Sequence, residues 1–331
     1  MTNRARLLAC LLPLALAGTG CDISVAAGGA EATFDRELTV SGPVELDVTS
    51  GSGDIRVRTG AAGSVQIHGR ARTHAGHWIG FSGESAAELV RRVEQNPPIE
   101  QSGNRIRVGP REWTDRWNGV SISYVITVPA DARVMARSGS GDLELGNVAG
   151  PVDASTGSGD IRVGRTTADV KVKTGSGSIE VDGGASVVAR TGSGNVLASS
   201  VKGDVEASSG SGDITVAQVA KGRTELSTGS GDISVTGANG PMHVRASSGD
   251  VTVEGTPAAP WDVSASSGDV RMRVAADAAF DLEVRTGSGG IETALPVTIN
   301  GTQSRRELKG QVRGGGPRVS VSTGSGSVSL R

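Results

Sequence analysis

The sequence predicts an all-β fold: a single-stranded β-solenoid (a β-helix, expected to be right-handed) of about ten to eleven coils with a capping region at its N-terminal end. Three observations predict it. Ser-Gly followed by Asp or a small residue, then an apolar-x-apolar triplet, is written eleven times, as in Ser158-Gly159-Asp160-Ile161-Arg162-Val163. From position 142 the residue after that Gly falls at 142, 160, 178, 195, 213, 232, 250, 269, 290 and 327, in steps of 18, 18, 17, 18, 19, 18, 19, 21 and 37. A fixed period near 18 residues marks a stacked repeat, and the final step is about two periods. The third observation is two apolar pairs per unit, each with period two, which is the mark of a half-buried strand.

Numbering each unit from the residue after the Gly as zero, positions +1 and +3 are apolar, as in Ile161/Val163, Ile214/Val216 and Val251/Val253. Positions −8 and −6 are apolar as well, as in Val170/Val172, Val205/Ala207 and Trp261/Val263. The residues between them, such as Arg162, Glu180, Lys171 and Glu206, are polar. Two such strands cannot bury an apolar face alone. Stacking the next unit at about 4.8 Å buries it, so ten or eleven coils make a rod of about 50 Å. Ser at −2 and Gly at −1 occur in all eleven copies, so the turn is the most uniform part of the unit. Gly admits a positive φ or lets neighbouring coils approach closely.

In chain order, residues 1–20 read as an export signal: Arg4 and Arg6, then the apolar run from Leu7 to Ala17. The run is too short for a stable membrane span. It ends Leu16-Ala17-Gly18-Thr19-Gly20-Cys21, which resembles the lipobox of bacterial lipoproteins, with Gly18 where Leu is usual. That resemblance implies a lipidated Cys21 held in membrane lipid, and residues 21–33 as its tether. Ordinary cleavage after Ala17 or Ala26 is the alternative. Cys10 lies inside the signal and Cys21 is alone after it, so no disulfide framework is expected.

Residues 34–130 carry one good unit, Leu46/Val48 with Ser52-Gly53-Asp54-Ile55-Arg56-Val57, and then leave the period for 88 residues. Strands are expected at Val65–Ile67, Arg105–Val108 and Val120–Val128. Ser85-Ala86-Ala87-Glu88 is a capping-box pattern before the apolar stripe Leu89, Val90 and Val93, and Pro97-Pro98 ends that helix. A solenoid needs an atypical end to cover its core, so this stretch is read as a helix-bearing cap or side insertion. Residues 131–331 are the repeats. The chain ends on a repeat strand, Ser327–Arg331, with no sequence left to cover it. Residues 294–318, rich in Gly and Arg, are the candidate cap there. An uncovered edge would lead to edge-to-edge self-association.

The strand ending Val128-Pro129-Ala130-Asp131, the Ser-Gly-Asp-Leu/Ile repeats and the lipoprotein-like signal together resemble the bacterial "putative adhesin" β-strand-repeat family, a domain family of unknown function. The likeness runs over residues 34–331. It implies a β-helix-like fold and a place in the cell envelope, and it transfers no catalytic residue.

Composition narrows the chemistry. Net charge is −2 with 33 basic and 35 acidic residues interspersed, so nucleic acid is not an expected partner. Asp54, Asp142, Asp160, Asp213, Asp232, Asp250 and Asp269 all occupy position zero. Stacked carboxylates about 5 Å apart repel, and calcium is the cofactor they could hold. Calcium-binding β-rolls use a nine-residue repeat, however, and Ser178, Asn195, Gly290 and Ser327 interrupt this ladder. Asp, Asn and Ser share the ability to bond a turn's backbone, so the structural role is favoured and no metal is expected. His74 and His77 lack a third ligand.

Trp78, Phe81, Trp113 and Trp117 are half of all aromatics and lie where the repeat breaks. Buried, they are the small core of the cap; exposed, they are a surface for a glycan or protein. Gly-x-Ser-x-Gly patterns fall on repeated corners, so they do not mark a nucleophile. A non-catalytic envelope scaffold or adhesion module is the leading reading, its partner an unidentified envelope protein or glycan. A periplasmic stress-accessory protein and a carbohydrate-active β-helix enzyme are the alternatives.

Overall fold

Each Ser-Gly corner turns the chain from one sheet into the other. The computed structural model describes residues 24–26, 29–73, 85–110 and 119–331. They form two fifteen-stranded sheets. Sheet B collects the strands before each corner, such as Val205–Ser211, and sheet A those after it, such as Ile214–Gln218. Eleven coils stack in parallel, so every copy of the motif is one coil, as the period predicts. At ordinary strand spacing fifteen strands span about 70 Å, longer than the coils alone because both ends carry extra strands.

Register is uniform along the rod. Position pairs with like position in successive coils: Val152↔Val170, Thr156↔Thr174 and Ser158↔Ser176 in sheet B, Ile161↔Ile179 and Val163↔Val181 in sheet A. The expected inward positions are buried in coils 1 to 10, with Val172, Ile179, Val216 and Val235 all at 1% exposure or less, while Ile291 of coil 11 is only partly buried. Burying such side chains contributes about 1.5–3 kcal/mol each, and the interior is one continuous core from Ala30 to Leu330.

The departures from the period are topological. Coil 1 (Glu45–Ser50 and Ile55–Gly60) lies directly against coil 2 (Arg133–Ser140 and Leu143–Leu145), although 88 residues separate their corners. The excursion between them returns to cover coil 1 on its other side. Ile55 pairs with Tyr124 in Val120–Pro129, and Leu46 pairs with Ile106 in Arg105–Val108. Sheet A continues outward through Ser64–Thr73, Gly29–Thr39 and Ser24–Ala26, while sheet B gains only Ile99–Ser102. The strand expected at Val65–Ile67 is thus the start of a ten-residue strand.

The helix α1 (Ala86–Gln95) lies over Gly29–Thr39 and Ser64–Thr73, where sheet B has stopped. Ser85 and Glu88 form the capping box, and Leu89, Val90 and Val93 are buried as expected. Opposite it, the Phe34 ring lies over Gly69, where a Cβ would stand 2.1 Å from the ring. Phe34 meets Tyr124 edge-on at 6.4 Å.

At the C-terminal end residues 294–318 take the capping course expected of them, and the last repeat strands lie inside the rod. After coil 9 (Trp261–Ser267 and Val270–Val274) the chain passes over one position and builds coil 11 (Phe280–Ser288 and Ile291–Thr293). That is the reason for the 21-residue step, since the connection spans two coil spacings. Val297–Gln303 and Glu307–Val312 then extend sheet B as antiparallel strands, so residues 294–318 do fold back as a cap. Finally Arg318–Ser325 and Val328–Leu330 enter between coils 9 and 11 as coil 10. The outermost strand of sheet A is therefore the three-residue Ile291–Thr293.

The corner explains the invariant Gly. A Cβ on Gly212, at φ 148°, would stand 2.1 Å from the carbonyl oxygen of Gly194 in the coil before, and Gly177, Gly194 and Gly249 are placed alike. Both reasons for Gly hold at once, the positive φ and the close approach. Gly212→Ala is expected to lower stability by about 2–4 kcal/mol, as strain at a special backbone position does. Gly290→Ala, where a Cβ meets nothing within 4 Å, is expected to stay within about 0.5 kcal/mol. Urea unfolding of the two variants checks the contrast.

Candidate functional site

Position zero holds the acidic ladder expected from the sequence, and its geometry is specific. The backbone N–H of Asp160 donates to Asp142 Oδ1 at 2.9 Å, that of Ser178 to Asp160 Oδ1 at 2.9 Å, and that of Asp213 to Asn195 Oδ1 at 2.9 Å. Asp232 donates to Asp213, Asp250 to Asp232, Asp269 to Asp250 and Ser327 to Asp269, all between 2.8 and 2.9 Å. Asp142 continues the chain to Asp54 at 3.2 Å. One side-chain oxygen per coil thus satisfies the corner N–H of the next coil. Asp, Asn and Ser can all do this, which accounts for the substitutions.

The second carboxylate oxygen meets arginine where one is near: Arg162 at Asp160, and Arg271 at both Asp250 and Asp269. The hydrogen bond from Arg271, with the Asp269 N–H, holds the Asp250 carboxyl below its ordinary value of 3.8. Among the described residues no three His, Cys, Asp or Glu side chains gather as a metal site.

A second ladder, missed by the sequence reading, runs on the inner side of the corner. Position −4 is Ser or Thr in nine of the eleven coils, with Ala246 and Ala265 the exceptions. Its buried hydroxyl donates to the corner Gly carbonyl of the neighbouring coil: Thr174 to Gly159 at 2.9 Å, Thr191 to Gly177 at 2.9 Å, Thr323 to Gly268 at 2.8 Å. These carbonyls leave the sheet ladder at the turn and are buried, so they need a donor. The signal was present as a polar residue at an inward-facing position.

The aromatic surface proposed from Trp78, Phe81, Trp113 and Trp117 lies outside the described residues, as do His74, His77 and Cys21. The described aromatics are core. Phe34, Tyr124, Trp261 and Phe280 are each 4% exposed or less, and Trp261 Nε1 donates to the Gly240 carbonyl at 2.9 Å.

An open groove of about 680 Å³ lies on the outer face of sheet B at its N-terminal end. Glu45, Asp47, Glu100, Arg105, Arg107 and Arg133 line it. Its acids are engaged across coils. Arg105 reaches Glu45 at 2.7 Å, and Arg107 and Arg137 flank Asp47 at 3.6 and 3.4 Å. Acid–base hydrolysis requires two carboxyls in contrasting environments. Here neither Glu45 nor Asp47 is set apart, and guanidinium groups face an open trough. Such a trough can hold polar or anionic groups by exposed, salt-sensitive contacts.

A family model matches residues 87–221 and again 185–331, and its description is Toastrack DUF4097. The chain belongs to the Toastrack DUF4097 family. The two overlapping matches take in the ten coils from coil 2 to coil 11 as well as part of the cap. Among solved structures, a "putative adhesin" from Bacteroides fragilis NCTC 9343 is 13% identical over 90% of this chain and 97% of that one, with a TM-score of 0.28. A "putative cell adhesion protein" from Clostridium sporogenes ATCC 15579 is 9% identical over 90% and 98%, with a TM-score of 0.25. A "putative lipid binding protein" from Parabacteroides distasonis ATCC 8503 is 13% identical over 90% and 96%, at 0.38. No curated protein matches the chain. At these identities and TM-scores, function has to be argued from the residues of the toastrack chain itself.

Three outcomes test the ladders. Thr174→Val leaves the buried Gly159 carbonyl without its donor and is expected to cost about 1–3 kcal/mol, while Thr174→Ser costs less. Asp213→Asn keeps an acceptor and should unfold near the wild type, with Asp213→Ala about 1 kcal/mol below it. Neither EDTA nor millimolar calcium should then move Tm. The lowered Asp250 carboxyl stabilises the fold above its ordinary 3.8, and that contribution is lost as pH falls through the depressed folded value. Arg271→Gln should therefore lower stability at pH 7 and narrow its loss of stability below about pH 4, as read from urea midpoints against pH.

Proposed function

We propose that this chain is an exported, lipid-anchored and non-catalytic β-solenoid that serves as an envelope scaffold or adhesion module. Cys21 is its anchor in membrane lipid, residues 21–33 its tether, residues 34–130 its cap and 131–331 its rod. The observation that carries the reading is the disposition of charge. The core is filled from end to end, the corner acids are bonded to backbone, and the outer acids Glu45, Asp47, Glu206 and Glu283 are paired with arginine. That chemistry builds and displays a surface.

The partner is an envelope protein or a glycan that lies along the rod. The groove of Arg105, Arg107 and Arg133 is where it is held, because these exposed guanidinium groups offer bidentate donors to carboxylate or phosphate. The family description names a fold and no reaction.

Three measurements test the proposal. Metabolic labelling with a radioactive fatty acid should mark the wild-type protein and leave Cys21→Ser unlabelled; equal labelling of both would refute the anchor. Protease treatment of intact cells should release a surface module. Complete protection, with degradation only after the outer barrier is opened, would instead support the periplasmic accessory reading. Arg105→Glu with Arg133→Glu should weaken attachment of the purified protein to envelope fragments, and more so at low salt.

A further inference from the structure

The coil made by the C-terminal 14 residues is held by two neighbours that it does not follow in the chain. Arg318–Ser325 pairs in parallel with Trp261–Ser267 on one side and with Phe280–Ser288 on the other. Val328–Leu330 sits likewise between Val270–Val274 and Ile291–Thr293. Val319, Val321, Val328 and Leu330 are buried at 1% exposure or less. Both corner ladders run through the insertion: Ser327 N–H to Asp269, Thr323 to the Gly268 carbonyl, and Thr286 to the Gly326 carbonyl. Up to Val312 the chain therefore contains a slot one coil wide, bounded by complete coils.

The entering segment hangs on one short connection, Arg313-Gly314-Gly315-Gly316-Pro317. It turns tightly, with Arg313 at φ 48°, Gly314 at 91° and Gly315 at 83°. A non-glycine residue in the left-handed region is strained, and an extended connection relieves it. The slot itself does not read which chain fills it. Apart from the Arg318–Glu283 ion pair, which any copy of the segment would bring, its contacts are the coil-to-coil contacts repeated along the rod.

We infer that residues 318–331 are an exchangeable donor coil, and that the slot between coils 9 and 11 takes the same coil from a second copy of this chain. Reciprocal exchange conserves every ladder and every buried valine and changes only the hinge, which is the condition for a domain-swapped dimer. Two copies joined this way hold two rods at a fixed distance from a short linker. The slot must also stand empty until residues 318–331, which follow both of its walls in the sequence, have been made, so neighbouring chains can fill it before that.

The test uses a chain with Cys10 and Cys21 replaced by Ser, carrying Ser267→Cys and Ser325→Cys. These positions are register partners across coils 9 and 10, and parallel neighbours at about 4.8 Å fall within disulfide range. The disulfide joins a closed chain to itself and an exchanged pair to each other. After refolding at rising concentration and oxidation, a non-reducing gel should show covalent dimer growing in proportion to concentration while it is the minor species. Deleting Gly314, Gly315 and Gly316 should make dimer the main product. Covalent monomer alone at every concentration with the hinge intact would overturn the inference, whether or not the deleted chain folds. An equal yield of dimer from Ser325→Cys alone would overturn it as well.

Discussion

Everything in this rod depends on how closely one corner can lie on the next. The backbone of each corner Gly sits so near the carbonyl of the corner before it that no side chain fits between them. That approach lets the Asp side chain of one coil reach the N–H of the next, and lets the inner Thr hydroxyl reach a buried carbonyl. The two ladders in turn fix the register, so that Val meets Val and Ile meets Ile along the core. Loss of the corner contact would open the ladders and the core together.

An interface that repeats eleven times is also interchangeable, and the ends of the molecule use this freedom. At both ends a coil that is terminal among the repeats in the chain is internal in space. Coil 1 is covered by strands made some sixty residues later in the sequence, and the C-terminal coil is covered by Phe280–Ser288, made earlier. Ends are then finished with other material. A helix and a Phe–Tyr contact close one end, and an antiparallel pair of strands extends sheet B at the other. A naked parallel edge is a template for pairing, and burying the first and last repeat coils leaves short or antiparallel strands outside.

The same logic bears on function. Acidic residues in a row suggest a cation site, and here one oxygen of each ladder Asp accepts the corner N–H of the next coil, with arginine beside Asp160, Asp250 and Asp269. Where the outer face has room, the groove of Arg105, Arg107 and Arg133 carries guanidinium groups beside the paired acids Glu45 and Asp47.

The period, the two strands per coil, the inward positions and the capping box of α1 were all legible in the sequence, because each depends on residues near one another in the chain. Ser85 to Glu88 is local, and so is the alternation of Ile161, Arg162 and Val163. The role of Asp was legible as a choice between turn and cation, since Asn195 and Ser178 stand in the same row. Thr174 was passed over because a polar residue on an inward face acquires meaning only from the carbonyl of another coil. The groove was hidden for a like reason: Arg133 and Arg105 are neighbours only once the excursion between coils 1 and 2 has closed. By itself, then, the sequence determined the repeating unit, its strands and its corner, through short-range sterics and periodicity. Only the tertiary structure decided the order in which the coils stack. Identical interfaces carry no label, so their pairing is settled by the length of the connections and by what must cover the ends.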